Sequence, residues 1–340
     1  MGISKSIFVA ALFQVATAFA ASPFLALPLP GGDGGIGFDD LKFSSGLNRV
    51  LVPSGRTGRL NLVAPHPVAH LVESISGFSA EPAGSRGHGK GTTSADSGRG
   101  WVFASDRGNQ HLVLVDPGQQ KVVGFVELGG NPDYVRWVEP LGEVWVTEPV
   151  QKQIERFKLA SAIETKLVKS GRIEIADGPE SLVIDVIRHR AYTNTWHGET
   201  IVIDLASQQE SSRWSNGCRA ARGIALDEKR GWLFVGCEEG KAVMLDVVHQ
   251  GKRLAEGNSG KGVDTIAYSP SLAHLYVPGG DSATLTVFSV GQEGIKPVAK
   301  WPTAPGAQCV AADDSGNVYI CDRPMGRLRV FSDTLAAARE

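Results

Sequence analysis

The chain has 340 residues, a formal net charge of −2, and 42% hydrophobic and 21% charged residues. A charge so close to neutral argues against bulk electrostatic attraction to nucleic acid or to anionic lipid. The length allows two ordinary domains or one large β domain. The 41 glycines and 18 prolines indicate a chain with frequent turns.

Residues 1–20 have the pattern of a secretory signal peptide. Lys5 supplies a positive charge, the apolar segment IFVAALF follows at 7–13, and AFA at 18–20 is a small-x-small cleavage site. The alternative is an uncleaved membrane anchor, but Gln14 and Thr17 leave too few apolar residues to cross about 30 Å of hydrocarbon. We therefore expect cleavage near Ala20, a secreted or periplasmic protein, and no membrane span in the mature chain.

A unit of forty-odd residues recurs along the rest of the sequence. Its most regular part is an apolar strand, found at RVLVPSG (49), GWVFASD (100), EVWVTEP (143), RAYTNT (190), GWLFVGC (231), HLYVPGG (274) and NVYICD (317). Trp145, Tyr192, Phe234, Tyr276 and Tyr319 on these strands are 47, 42, 42 and 43 residues apart. Units of this length with four short strands are typical of propeller blades. We predict one all-β domain over 21–340, a seven-bladed β-propeller.

The two ends of the chain predict how the ring closes. The seventh unit ends at RLRVFSDT (327–334) without an outermost strand, and SPFLALPLP (22–30) precedes the first unit as a spare strand. We expect the N-terminal segment to complete the last blade, which removes the open edge of the ring. Its prolines suit an edge position, where one side of the backbone has no partner.

The four cysteines predict two disulfides. An even number of cysteines in an exported chain indicates bridges, and none forms a CxxC zinc motif. Cys218 and Cys237 flank the turn LDEKRG, while Cys309 and Cys321 flank the turn DDSGN. Each pair therefore faces across a hairpin, and we predict the bridges Cys218–Cys237 and Cys309–Cys321.

The strands LYVPG, VWVTE and AYTNT resemble the YVTN-type repeat of secreted seven-bladed propellers, the YncE-like group, over nearly all of the mature chain. The resemblance implies that the first strand of each unit lines the central axis and that the residue before it lies at one mouth of the channel. Alignment of the units on their middle strands then assigns seven mouth residues: Asp39, His88, Asp133, Glu180, Arg222, Asp264 and Gln308. Blade 2 departs from the pattern, because GHGKGTTSAD (87–96) is one residue longer than expected.

Three interpretations of this ring are open. It is a solvated structural feature in which Arg222 balances the acids, or it binds a divalent cation (Ca²⁺ or another) or a small cationic or sugar-like ligand. The tentative metal ligands are Asp39, Asp133, Glu180 and Asp264. In the third interpretation these acids, with His88 as proton carrier, perform metal-assisted lyase or lactone hydrolase chemistry.

Our leading expectation is a non-catalytic binding scaffold, monomeric, that holds a metal ion or small ligand at the mouth. The loops at the blade edges are free to contact a partner protein. Binding to nucleic acid or to the cell envelope, known among YncE-like relatives, is a further alternative that the slightly acidic charge balance does not favour. The sequence leaves open whether the protein is an enzyme.

Overall fold

Every strand that the structure describes belongs to one of seven four-stranded antiparallel sheets. The structure is a computed structural model that describes residues 24–65, 71–85, 87–161 and 166–337, so the predicted signal segment lies outside the described residues. The helical element within those ranges is one 3-10 turn, Glu139–Leu141. Over the same ranges the chain contains no helix with the length and apolarity that a membrane crossing requires.

The first strand, β1 (Leu25–Pro28), is followed by six blades that each use four consecutive strands, with the first of the four innermost. Blades 1 to 3 contain β2 (Lys42–Ser44), β3 (Arg49–Pro53), β4 (Thr57–Val63) and β5 (Val72–Ala80); β6 (Ala95–Gly98), β7 (Trp101–Asp106), β8 (His111–Asp116) and β9 (Lys121–Glu127); and β10 (Val135–Val138), β11 (Glu143–Glu148), β12 (Gln153–Ser161) and β13 (Lys166–Glu174). Blades 4 to 6 contain β14 (Val183–Asp185), β15 (Arg190–Asn194), β16 (Glu199–Asp204) and β17 (Gln209–Ser215); β18 (Ala221–Asp227), β19 (Trp232–Cys237), β20 (Lys241–Asp246) and β21 (Lys252–Asn258); and β22 (Ala267–Ser269), β23 (His274–Gly279), β24 (Thr284–Gly291) and β25 (Gly294–Pro302). Blade 7 contains β26 (Val310–Ala312), β27 (Asn317–Asp322) and β28 (Arg327–Ser332), with β1 as its fourth strand.

Blade 7 joins the two ends of the chain, which confirms the predicted closure. Leu25 of β1 pairs with Val330 of β28, and Leu27 pairs with Leu328. Leu27 is buried in a cluster that also contains Phe38 from the segment leading into blade 1. Blades 7 and 1 therefore share one buried apolar core.

The cores lie between neighbouring blades. The aromatic residues of the middle strands, among them Trp145, Tyr192 and Phe234, are completely buried. One cluster packs Trp145 of blade 3 against Leu182 and Ile203 of blade 4, and other clusters join further pairs of neighbours in the same way. Because each blade buries its face on the next, the apolar residues of the repeat form a ring of cores around the axis.

Both predicted disulfides are present. Cys218 lies between blades 4 and 5 and bridges to Cys237 at the end of β19, and Cys309 before β26 bridges to Cys321 in β27. Each bridge therefore ties the start of an inner strand to the end of its middle strand.

We expect the double substitution Cys309→Ala with Cys321→Ala to lower the free energy of unfolding by about 2–3 kcal/mol, because the unfolded chain regains the freedom that the bridge removes. Chemical denaturation followed by tryptophan fluorescence measures the change. The wild-type protein in reductant serves as a control and should lose at least as much. An unchanged denaturation midpoint in the double variant would show that this bridge contributes no stability.

Candidate functional site

Strand pairing sets the register of the ring residues. Val183 in the inner strand of blade 4 pairs with Tyr192, and Glu180 stands three positions before Val183. In blade 6 the pair is Ala267 with Tyr276, and the residue three positions earlier is Asp264. The same offset from the corresponding pair selects Asp39, Asp133, Arg222 and Gln308 in blades 1, 3, 5 and 7. Six of the seven residues assigned from the sequence thus occupy equivalent positions.

Blade 2 differs from the sequence-based alignment. Asp96 of its inner strand pairs with Phe103, so the residue in register is Thr93 and not His88. The backbone confirms this equivalence, since Thr93 O accepts from Asp40 N at 3.1 Å just as Gln308 O accepts from Thr265 N at 3.0 Å in blades 6 and 7. The residues before Thr93 form an additional loop that the repeat does not predict.

This loop nevertheless brings His88 to the mouth. The imidazole Nδ1 lies 2.9 Å from the carbonyl oxygen of Phe38 and 3.5 Å from Asp39 Oδ2. The loop packs so closely on blade 1 that a Cβ at Gly37 would lie 1.9 Å from the carbonyl oxygen of Gly87. A side chain at Gly37 would therefore displace the loop that carries His88.

The seven assigned residues line a polar funnel with two lobes that share His88, Glu180, Arg222 and Asp264. The first lobe has a volume of about 220 Å³ and extends to Asp133 and Asp39; the second has about 300 Å³ and extends to Gln308. The structure therefore gathers in one space residues that are separated by up to 269 positions in the chain, Asp39 and Gln308 being the most distant.

A second ring of side chains surrounds the first and was missed by the sequence analysis. It comes from the turns that follow the middle strands, and its members in the two lobes are Arg107, Pro149, Val150, Trp196, Glu238 and Asp281. Val150 and Trp196 are 70% and 39% exposed. A signal was present in the sequence, because each of these residues stands one or two positions after the end of a middle strand.

Glu180 is held by two partners. It accepts a hydrogen bond from Trp196 Nε1 and forms an ion pair with Arg222, whose Nη1 lies 2.9 Å from Glu180 Oε1. Arg222 also contacts Glu238, with Nε at 2.9 Å from Oε2. The pKa of Glu180 is raised to about 7, mainly by burial and also by the charge of Asp264, although Arg222 and Trp196 act in the opposite direction.

The three aspartates of the ring have fewer hydrogen-bond and ion-pair partners than Glu180. Burial and the charge of Asp39 raise the pKa of Asp264 to about 6, while Gln308 Nε2 donates to Asp264 Oδ2 at 2.7 Å. Burial, followed by the charges of Asp39 and Glu180, raises the pKa of Asp133 well above its usual range. Within the described ranges the carboxyl group of Asp133 accepts no hydrogen bond, and that of Asp39 contacts only His88.

Asp39, His88 and Asp264 form a potential metal centre. One potential ligand atom from each of the three side chains lies within 4.8 Å of the others. Among the residues that the structure describes, this is the group of histidine, cysteine or acidic side chains close enough to hold one metal ion. Asp133 and Glu180, which the sequence analysis included as metal ligands, lie outside this triad. Glu180 is directed onto Arg222 and Trp196 instead, an orientation that its position in the repeat does not reveal.

A buried ion pair between Asp40 and Arg136 lines a further cavity of the propeller. Arg136 Nη1 and Nη2 lie 2.6 Å and 3.0 Å from the two carboxylate oxygens of Asp40, and Arg136 Nε donates to Leu182 O at 2.9 Å. The guanidinium also lies 4.9 Å from the ring centre of Tyr134. This cavity has a volume of about 270 Å³ and is lined mainly by inner-strand residues, and Tyr134 lines both it and the first lobe of the funnel.

The closed ring of seven blades around a polar axial funnel places the protein in the class of seven-bladed β-propellers. Solved structures with the same fold include a chain of the mitotic checkpoint complex, with a TM-score of 0.75, 14% sequence identity and coverage of 98% of each chain. A chain of Kuenenia stuttgartiensis hydrazine synthase has a TM-score of 0.70 and 13% identity over 96% of this chain and 100% of that chain.

These similarities show the fold alone, since propellers at such low identity carry unrelated activities. A scan against protein-family models finds no match, and a search of curated protein sequences finds none either. The function must therefore be argued from the side chains at the mouth.

Proposed function

We propose that the protein is an exported propeller of the YVTN-repeat, YncE-like type, which binds a divalent cation at its axial mouth through Asp39, His88 and Asp264. The observation that carries the proposal is the approach of one donor atom from each of these side chains to within 4.8 Å of the others. The three residues come from separate blades and a loop, so the fold itself brings them together.

The hydrogen bonds around the triad suit a metal ligand set. A carbonyl oxygen only accepts, so the contact between His88 Nδ1 and Phe38 O requires the hydrogen on Nδ1 and leaves the lone pair on Nε2. Metal-binding histidines usually have their second nitrogen held in this way. Gln308 similarly fixes the carboxylate of Asp264 through one oxygen.

The charge of the mouth supports a cation as the occupant. Asp39 and Asp133 have carboxyl groups without a hydrogen-bond donor in the described ranges, and the pKa of Asp133 is raised by burial and by its acidic neighbours. A divalent cation would relieve this repulsion. Because Ca²⁺ prefers oxygen ligands only, the imidazole of His88 favours a transition ion such as Zn²⁺.

Export is supported by the two disulfides, which are consistent with an extracellular or periplasmic location because they persist in oxidising compartments. The N-terminal pattern of the sequence, Lys5 followed by IFVAALF and AFA, agrees with this proposal. The scaffold role needs no catalytic group.

We expect the purified protein to bind Zn²⁺ at a stoichiometry of one, and Asp39→Asn to weaken the binding by about 10- to 100-fold, as ligand and supporting residues of metal sites do. Isothermal titration calorimetry and elemental analysis measure both. Glu293→Gln is the matched control, since Glu293 is exposed and far from the mouth, and its affinity should equal that of the wild type. Equal affinities of wild type, Asp39→Asn and His88→Ala would refute the site.

A propeller enzyme of the lyase or lactone hydrolase type is the second candidate, and Glu180 is the observation that favours it. Its pKa of about 7 suits a general acid or base at neutral pH, and it faces the funnel beside Arg222. Incubation of the zinc-loaded protein with sugar lactones, followed by NMR, tests this candidate. Turnover that Glu180→Gln abolishes would support it, and no turnover would leave the binding scaffold as the function.

A further inference from the structure

Arg107 is a cation in the acidic funnel, and its charge lowers the pKa of the neighbouring Asp133. It follows β7 directly, is half-buried, and lines the lobe of about 220 Å³. Its guanidinium forms no hydrogen bond or ion pair with another residue in the described ranges, in contrast to Arg222, which is paired with Glu180 and Glu238. A planar guanidinium with free donors is the group that proteins use to hold carboxylates, often through two parallel hydrogen bonds.

The opposite wall of the same lobe is apolar. It consists of Pro149, Val150 and Trp196, contributed by the equivalent turns of the next two blades. The indole is fixed, because its Nε1 donates to Glu180 and the guanidinium of Arg222 lies 5.9 Å from its ring centre. Trp196 is nonetheless 39% exposed, so part of the ring remains open to a ligand. A partly exposed aromatic ring in a polar pocket can stack on the face of a sugar ring that carries C–H groups, while the hydroxyl groups of the sugar point to polar side chains.

Hydrogen-bond acceptors connect the two walls. Asp133 offers a carboxyl group without a donor among the described residues, and Asn131 lines the lobe beside it. Carboxylate and amide groups at this depth suit the hydroxyl groups of a sugar, since a hydroxyl donates to one and accepts from the other. The lobe is smaller than the 300–1,000 Å³ typical of drug-sized ligands, so about one sugar ring fits.

We propose that this lobe binds an acidic monosaccharide, with its carboxylate on Arg107, its C–H face on Trp196 and its hydroxyl groups on Asp133 and Asn131. This proposal rests on the proposed function, because both require the mouth to be a ligand site. It adds an organic ligand that binds next to the cation. A neutral sugar would offer no carboxylate to the guanidinium of Arg107, and an amino sugar would place a second cation next to it.

Binding of D-glucuronate, D-glucose and D-glucosamine to the folded, zinc-loaded protein tests the proposal by calorimetry and by intrinsic tryptophan fluorescence. We expect glucuronate to bind about 10- to 100-fold more tightly than glucose, the difference that a charge-assisted hydrogen bond supplies. Arg107→Ala should remove this preference and leave glucose binding unchanged. Trp196→Ala should weaken both sugars, whereas Trp196→Phe should retain them, and Arg172→Ala, on the outer strand of blade 3, is the control.

Three results would overturn the proposal: equal affinities for glucuronate and glucose, a preference for glucosamine, or glucuronate binding that Arg107→Ala does not change. The proposal and the proposed function fail separately. Zinc binding by a protein that does not bind glucuronate rejects the sugar site alone. Glucuronate binding that Arg107→Ala weakens, in a protein that takes up no zinc, supports the sugar site and rejects the cation site.

Discussion

Replacing Arg136 with methionine is expected to lower the free energy of unfolding by about 3–5 kcal/mol, because it leaves the carboxylate of Asp40 buried without its partner. The two side chains are 10% and 5% exposed, and the guanidinium contacts both carboxylate oxygens. Ser94 Oγ donates to Asp40 Oδ2 at 2.6 Å and would be the main donor that remains. Urea denaturation followed by circular dichroism measures the loss.

Two further variants identify the cause of that loss. The double variant Asp40→Leu with Arg136→Met removes both charges and should recover much of the stability, since apolar replacements of buried ion pairs are often close to neutral. Arg172→Met removes an exposed arginine and should change stability by less than about 1 kcal/mol. A loss in Arg136→Met as small as that of Arg172→Met would mean that the ion pair is not buried as described.

The metal-free protein is expected to lose about 5 kcal/mol of stability as the pH rises from about 4 to about 7. Glu180 and Asp264 have folded-state pKa values of about 7 and 6, above the ordinary 4.5 and 3.8. Between those values the folded protein holds more protons than the unfolded chain, so raising the pH favours unfolding. Thermal and urea denaturation at a series of pH values after treatment with chelator measures the slope.

The substitution Glu180→Gln separates this effect from the other titrating groups. Its stability should decline less than that of the wild type between pH 5 and pH 8, because the amide carries no charge at either pH, whereas Glu293→Gln should follow the wild type. Zinc should stabilise the wild-type protein more at high pH than at low pH, since protons and the cation compete for the same carboxylates. Parallel curves for wild type and Glu180→Gln would contradict the raised pKa of Glu180.

The fold could be predicted almost completely from the sequence, because the signals that specify it are periodic. Large aromatic residues such as Tyr192 and Tyr276 recur at a blade-length spacing and fill equivalent places between blades. The missing strand after β28 and the spare strand before blade 1 predicted the closure through β1. The cysteines paired as predicted, since each pair flanks a hairpin turn.

The site was less predictable because its loops are not periodic. Strand pairing fixes a residue at the start of an inner strand, which is why Asp264 and Glu180 lie at equivalent positions of their blades. His88 lies in an additional loop, so the residue of blade 2 in register is Thr93. The direction of each side chain depends on local partners, and for this reason Glu180 lies on Arg222 and outside the metal triad.

The central claim is that the ring brings Asp39, His88 and Asp264 together around one cation. The most direct test is a crystal structure of the protein soaked in Zn²⁺, with anomalous diffraction data collected at the zinc absorption edge. We predict one strong anomalous peak at the axial mouth, about 2.0–2.2 Å from His88 Nε2 and from a carboxylate oxygen of each aspartate. A peak bound elsewhere on the surface, or an empty mouth at a zinc concentration that saturates other sites, would contradict the account.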